Sequence, residues 1–319
     1  MRAAARIVAE ADRSGGTRLA VLRGESPLLF RRTGPLHHHR VSGGFDDIPG
    51  EAGDGDATPR SGDRAAPSDG RTRTGVTVHL VGGAAGPLRG DDLRLDIEVG
   101  PHARLDIRSV AATLLLPGRP APPSRLVVHA EVGEGATLCW TPEPTIAAAR
   151  CDHHAVTEVT VAEGGVLLWR EDLVCGRHGE PSGVIRTETT IRYAGRTLYR
   201  HDLMLGAGAW DGAAVLGENR ALGAAILAGS ALPSPRRFDR HHLVAAVDKP
   251  QVAARAAHLP GPDAAVMDLA GPGVLATAAG PDIRAVKAAL DPICEAFAAG
   301  SPAQLGPEST EPQVAAATI

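Results

Sequence analysis

Three nine-residue stretches decide the fold: Val99-Gly100-Pro101-His102-Ala103-Arg104-Leu105-Asp106-Ile107, Val132-Gly133-Glu134-Gly135-Ala136-Thr137-Leu138-Cys139-Trp140 and Val161-Ala162-Glu163-Gly164-Gly165-Val166-Leu167-Leu168-Trp169. They align without gaps. Each ends a strand on a valine, turns through small residues, and restarts a strand with an aliphatic residue followed two positions later by a bulky one. Their starts lie roughly thirty residues apart, a period that marks layers in which each unit covers the open face of the next. The spacing predicts a mainly β, two-layer, stacked β-helix-like body of many strands. Three unrelated hairpins in an ordinary sandwich are the alternative.

Working outward, period-2 alternation continues the strands. Val76-Thr77-Val78-His79-Leu80-Val81 and Leu93-Arg94-Leu95-Asp96-Ile97-Glu98-Val99 switch apolar and polar, as strands with one buried face do. Leu126–Val132, Val156–Val161, Val184–Ile191 and Leu198–Leu205 behave alike, and two apolar pieces at Thr17–Leu22 and Pro27–Phe30 precede them. Residues 42–75 run through Gly, Asp, Ser, Pro and Arg with almost no aliphatic content, too little to offset their ordering entropy. They read as a disordered insertion, and 300–319 as a disordered tail, within a single β domain spanning 17–299. One or two helices are expected at the C-terminus: Asp282 is a plausible cap for a run of Ile283, Val286, Leu290, Ile293 and Phe297, which Pro292 should kink or end.

Composition excludes several classes. Of 319 residues, 38 are Gly and 25 Pro, too many for a helical bundle, and with aromatics at 3% the core must be aliphatic. A net charge of −4 supplies no basic surplus for a phosphate backbone, so nucleic acid is not an expected partner. No apolar run of about 18 residues suggests a membrane span. Residues 1–16 lack the apolar segment of a signal peptide, so a cytoplasmic location is expected. Cys139, Cys151, Cys175 and Cys294 are irregularly spaced and read as isolated thiols.

Familiar catalytic patterns are absent. There is no G-x-S-x-G elbow, phosphate loop or H-E-x-x-H helix. His153, His154 and His201 are candidate metal ligands, since imidazole suits nickel, copper and zinc. Neighbours on one strand point to opposite faces, however, so His153 and His154 cannot share an ion without a bend. Acidic residues stand out at Asp91-Asp92 after a glycine-rich turn, at Glu171 after Trp169, and at Glu180. Carboxylates lining a wet internal path would let Ni(II) move rather than trap it, because oxygen ligands hold late first-row metals more weakly than imidazole or thiolate.

Four segments together resemble the urease accessory protein UreD (UreH) family: Gly82-Gly83 with Gly90-Asp91-Asp92-Leu93, Ala111-Ala112-Thr113, Trp140-Thr141-Pro142-Glu143-Pro144-Thr145-Ile146, and Leu167-Leu168-Trp169 leading to Gly176-Arg177 and Gly179-Glu180. The resemblance implies a non-enzymatic β-helical protein that binds urease apoprotein and the helical accessory protein UreF, which recruits the GTPase UreG. It implies Ni(II) in transit along an internal passage and no tightly bound cofactor. Carried over by position, Asp91, Asp92, Thr113, Glu171 and Glu180 are the residues that would line or gate that passage. Two readings compete with it: a cytosolic β-helix enzyme working through paired carboxylates, disfavoured by the scarcity of aromatic platforms for sugars, and a purely structural scaffold.

Overall fold

The computed structural model describes residues 1–35, 74–206, 216–229 and 263–299. The insertion read at 42–75, apart from residues 74 and 75, and the tail at 300–319 lie outside the described residues. The first sheet has seven strands. Its parallel centre is β1 (Arg2–Ala11), β5 (Asp92–Val99), β8 (Ser124–Val132), β11 (Asp152–Val161) and β13 (Val184–Tyr193), with β2 (Thr17–Arg23) and β14 (Arg196–Leu205) antiparallel at its edges. The second sheet runs β4 (Val76–Gly82), β6 (Arg104–Ser109), β9 (Thr137–Thr141) and β12 (Val166–Cys175) in parallel. Antiparallel β3 (Leu28–Pro35) edges it on one side, and β15 (Ala221–Ala228), β17 (Gly273–Gly280) and β16 (Asp263–Asp268) extend it on the other. From β5 to β13 the chain alternates sheets, so the body is a β-solenoid closed over an interior. Short strands β7 (Thr113–Leu115) and β10 (Thr145–Ala147) form a third wall against the distal part of β12.

The repeat in the sequence is the coil of this solenoid. Val99 pairs with Val132 and Val132 with Val161 in the first sheet; Leu105, Leu138 and Leu167, then Ile107, Trp140 and Trp169, are successive neighbours in the second. Equivalent positions stack because each coil presents the same residue type to the next. Trp140 and Trp169 lie face to face at 4.9 Å with 9° between their planes, both buried.

The turns stack as well. Ala103, Ala136 and Gly165 close them by donating their N–H to Gly100, Gly133 and Ala162. The third turn residue is left-handed in each, at φ 61° for His102, 62° for Gly135 and 76° for Gly164. Coil-to-coil bonds from Gly133 N to Val99 O and Ala162 N to Val132 O, each 2.8 Å, bring the turn backbones together. A Cβ on Gly133 would come within 2.9 Å of the Pro101 nitrogen, so only glycine fits there.

Two expectations change. The β body begins at Arg2 rather than at Thr17: β1 lies between β2 and β5, burying Ala3, Ala5, Ile7 and Ala9. Alanines carry little hydrophobic signal, yet Ala3, Ala5 and Ala9 are buried here. The second concerns the helix, α1 (Ile283–Ala299), which continues through Pro292 without ending there. Proline removes one intrahelical bond, but Val286, Ala289, Leu290, Ile293 and Phe297 are buried on both sides of it, and that packing keeps both halves helical. The Asp282 carboxylate accepts from the backbone N–H of Arg284 at 2.9 Å and Ala285 at 3.0 Å, as a helix cap does. Asp282→Ala is expected to cost about 1 kcal/mol of stability, read as a lower urea midpoint with unchanged slope.

Candidate functional site

Alternation along the strands of the first sheet aims every second side chain inward, and one inward row changes character as it crosses the coils. In register it reads Leu95, Val128, Thr157, Thr189 and then His201 on the edge strand β14. The aliphatic half belongs to the core, while the other half offers hydroxyls and an imidazole. Facing this half from the second sheet, β12 presents Trp169 and, two residues on, Glu171.

Glu171 is held by both sheets. Its Oε1 accepts from Trp169 Nε1 at 2.8 Å and from Thr157 Oγ1 at 3.4 Å, while Thr189 Oγ1 lies 3.1 Å from both carboxylate oxygens. Thr157, Thr189 and Trp169 are buried. Beside them, burial together with the Glu171 charge pushes the Tyr199 phenol up to about 12. The Tyr199 ring stacks near His201, with centroids 6.0 Å apart. The result is an interior patch with one carboxylate, two hydroxyls, a phenol and an imidazole beside the aliphatic half of the row. Its oxygen and imidazole donors are of the kinds that bind divalent cations. Among the described residues, no three His, Cys, Asp or Glu side chains converge as a metal cage.

The other sequence candidates are dispersed. Asp91 is buried, accepting from the Met1 ammonium at 2.7 Å and from Leu88 N at 2.9 Å, so it clamps the turn ahead of β5. Asp92 is exposed at the start of β5. Thr113 opens β7, where its N–H donates to Pro144 O. Glu180 ties a loop together: it accepts from Arg177 and from Ala149 N, and bonds from the Arg177 side chain and backbone, with a smaller one from Ala149, lower its carboxyl to about 2. His153 is buried on the inner face, its Nδ1 2.8 Å from Ser124 Oγ, and burial pushes it down to about 4, with His154 adding to the effect. His154 faces outward and bonds Glu188 at 2.8 Å. Thus the structure gathers Glu171 and His201 at one end of the interior and leaves Asp91, Asp92, Thr113, Glu180, His153 and His154 elsewhere.

Thr157, Thr189 and Tyr199 are the partners that sequence reasoning passed over. Period-2 alternation did carry a signal for them, since Thr157 falls in phase with the buried Val159 and Val161, and Thr189 with Ile191 and Tyr193. No helix among the described residues is long and apolar enough to cross a membrane.

The chain is similar to known proteins over most of its length. The family model described as UreD urease accessory protein matches residues 63–316. Urease accessory protein UreD 3 of Streptomyces griseus is 38% identical over 299 residues, covering 91% of this chain and 95% of its own length. Urease accessory protein UreD of Frankia alni is 40% identical over 288 residues, 88% of each chain, and that of Frankia casuarinae 38% identical over 293 residues. With a family match over most of its length and relatives of this identity over most of both chains, the chain belongs to the UreD family of urease accessory proteins.

Proposed function

We propose that this chain is a non-catalytic component of urease maturation: it binds UreF and the urease apoprotein, engages the GTPase UreG through UreF, and passes Ni(II) through its interior to the urease active site. Membership of the UreD family supports the maturation role. The observation that carries the passage is the placement of Glu171, a carboxylate inside the solenoid that bridges both sheets through Thr157, Thr189 and Trp169. A carboxylate is kept off the apolar core unless it is hydrogen-bonded, and here three donors satisfy it while lone pairs remain for a cation. Oxygen ligands bind Ni(II) loosely enough for release, which is what a conduit requires and a storage site does not.

Glu171→Gln tests the passage without disturbing the fold, because the amide oxygen still accepts from Trp169 and Thr189. Co-expression with urease and its other accessory proteins is expected to give urease whose nickel content and activity fall severalfold, while the amount of chain recovered with UreF and apoprotein stays the same. Wild-type nickel content in that variant would leave a scaffold role alone standing. Asp91 is unsuited to the same test, since its carboxylate holds the turn at Leu88 and its loss would perturb local structure.

A further inference from the structure

The loops that lead into successive strands of the first sheet stack at one corner of the solenoid. They are 86–91 before β5, 116–123 before β8, 148–151 before β11 and 176–183 before β13. Leu116 N donates to Pro87 O and Gly90 N to Pro122 O, and Ala149 N donates to Glu180 Oε1, so the first loop is bonded to the second and the third to the fourth. Each contributes one arginine: Arg89, Arg119, Arg150 and Arg177. Arg177 is committed to Glu180 at 2.8 Å. Arg89 spends Nη1 on Asp152 at 2.9 Å and Nε on Ala121 O at 2.9 Å. Arg119 and Arg150 are exposed and have no ion pair among the described residues.

Between Arg89 and Arg150 lies an open cleft of about 510 Å³, its remaining wall made of Pro117, Gly118, Pro120 and Ala121. Backbone conformation singles out Arg150. Three of the four loops place glycine where the chain turns left-handed, at Gly90 (φ 83°), Gly118 (φ 62°) and Gly176 (φ 79°). The third loop has Arg150 at φ 62°, a conformation that glycine adopts freely and an arginine adopts at a cost. A strained residue whose side chain lines a cleft points to use of that side chain.

We propose that this corner is a docking site for an acidic segment of a partner protein, with a glutamate or aspartate side chain entering the cleft between Arg89 and Arg150 and the exposed Arg119 beside it. The planar guanidinium fork matches a carboxylate in two parallel hydrogen bonds. The apolar remainder of the cleft offers prolines and an alanine for the aliphatic stem and backbone of a peptide, and no aromatic plane for a base. On a chain with a net charge of −4, Arg119 and Arg150, without an ion pair among the described residues, also orient an acidic partner during approach. The inference goes beyond the passage at Glu171 and holds whether or not nickel travels there.

A fluorescein-labelled peptide alternating glycine and glutamate, with a glutamine counterpart, titrated into the full-length chain and read by anisotropy tests it. The glutamate peptide is expected to bind, at least fivefold more weakly in 300 mM than in 50 mM NaCl, and the glutamine peptide to bind at least tenfold more weakly than its counterpart. Arg150→Gly should reduce binding at least fivefold, and more with Arg119→Glu added, without lowering the melting temperature, because glycine relieves the left-handed position. Arg13→Glu, in the β1–β2 turn at the opposite end of the first sheet, should leave binding unchanged. Equal binding of the two peptides, undiminished binding by Arg150→Gly, or complete displacement of the peptide by an equal concentration of inorganic phosphate would each overturn the proposal. None of these outcomes depends on nickel incorporation, so they are separate from the test of Glu171.

Discussion

Replacing Arg170 with methionine is expected to destabilise the protein by about 3–5 kcal/mol, the cost of leaving a buried charge without its partner. Arg170 projects from the outer face of β12 beneath α1, its side chain only 7% exposed. It donates Nε to Asp172 Oδ2 at 3.0 Å and Nη1 to Asp291 on the helix, and it lies 3.7 Å from Cys294 Sγ. Burial disfavours the guanidinium charge, yet Asp172 and Asp291 hold it firmly protonated. Asp172 is more enclosed still, at 1%, and burial raises its carboxyl while Arg170 pulls it down. Asp172 Oδ1 already has no hydrogen-bond partner among the described residues, so removing Arg170 Nε from Oδ2 takes the donor from its second oxygen as well. A methyl group at Gly223 would come within 2.4 Å of Asp172 Oδ1 and 2.6 Å of Val286 Cγ1, which shows how tightly the helix closes over the pair. A fall in melting temperature on the order of 10 °C should follow. Arg170→Met combined with Asp172→Leu should recover most of it, because an apolar pair of similar volume needs no compensation. A single variant that melts within a degree of the parent would show that the ion pair contributes nothing.

The second large effect is a loss of stability in mild acid traced to His153. Buried and bonded to Ser124, its imidazole is pushed from an ordinary 6.5 down to about 4, by burial first and by His154 second. Above pH 6.5 the native and unfolded states are both neutral at this residue, and its environment carries no penalty. Between 6.5 and 4 the unfolded chain binds a proton that the native state refuses, so stability falls with pH, by roughly 3 kcal/mol in total. Thermal melts at pH 7 and pH 5 should therefore differ more in the parent than in His153→Gln, which cannot titrate. An equal pH response in the two proteins would remove His153 as the cause. Glu180 acts lower on the scale. Its carboxyl, lowered to about 2, contributes stability that is present above its unfolded value near 4.5 and lost as pH falls through 2, so the two windows are separable.

The solenoid was legible in the sequence because its coils repeat position by position. Val99, Val132 and Val161 align in the sequence and pair in space, as do Ile107, Trp140 and Trp169, since stacking places equivalent residues in register. The strands that escaped reading have neither that repeat nor a clear alternation. Strand β1 buries mostly alanines; β7 and β10 have three residues each, too few for a period; and β15 and β16 lie beyond the repeating coils. The helix was legible from its apolar spacing and its Asp282 cap, but not its continuity through Pro292, which depends on what the helix packs against.

For the candidate site the balance is different. The sequence by itself determined the chain's class, a stacked β body with an aliphatic core, and it singled out Glu171 as an acid two residues after Trp169. It also determined that His153 and His154 would part company, because alternation on a strand is a local property. Only the tertiary structure decided that Asp91 clamps a turn, that Glu180 secures a loop, and that Glu171 meets Thr157 and Thr189 from the opposite sheet. Those contacts join residues 14 and 18 positions apart across the solenoid interior. Local pattern fixes which way a side chain points, whereas the residue it meets is set by how the coils close, and that information resides in no single segment of the chain.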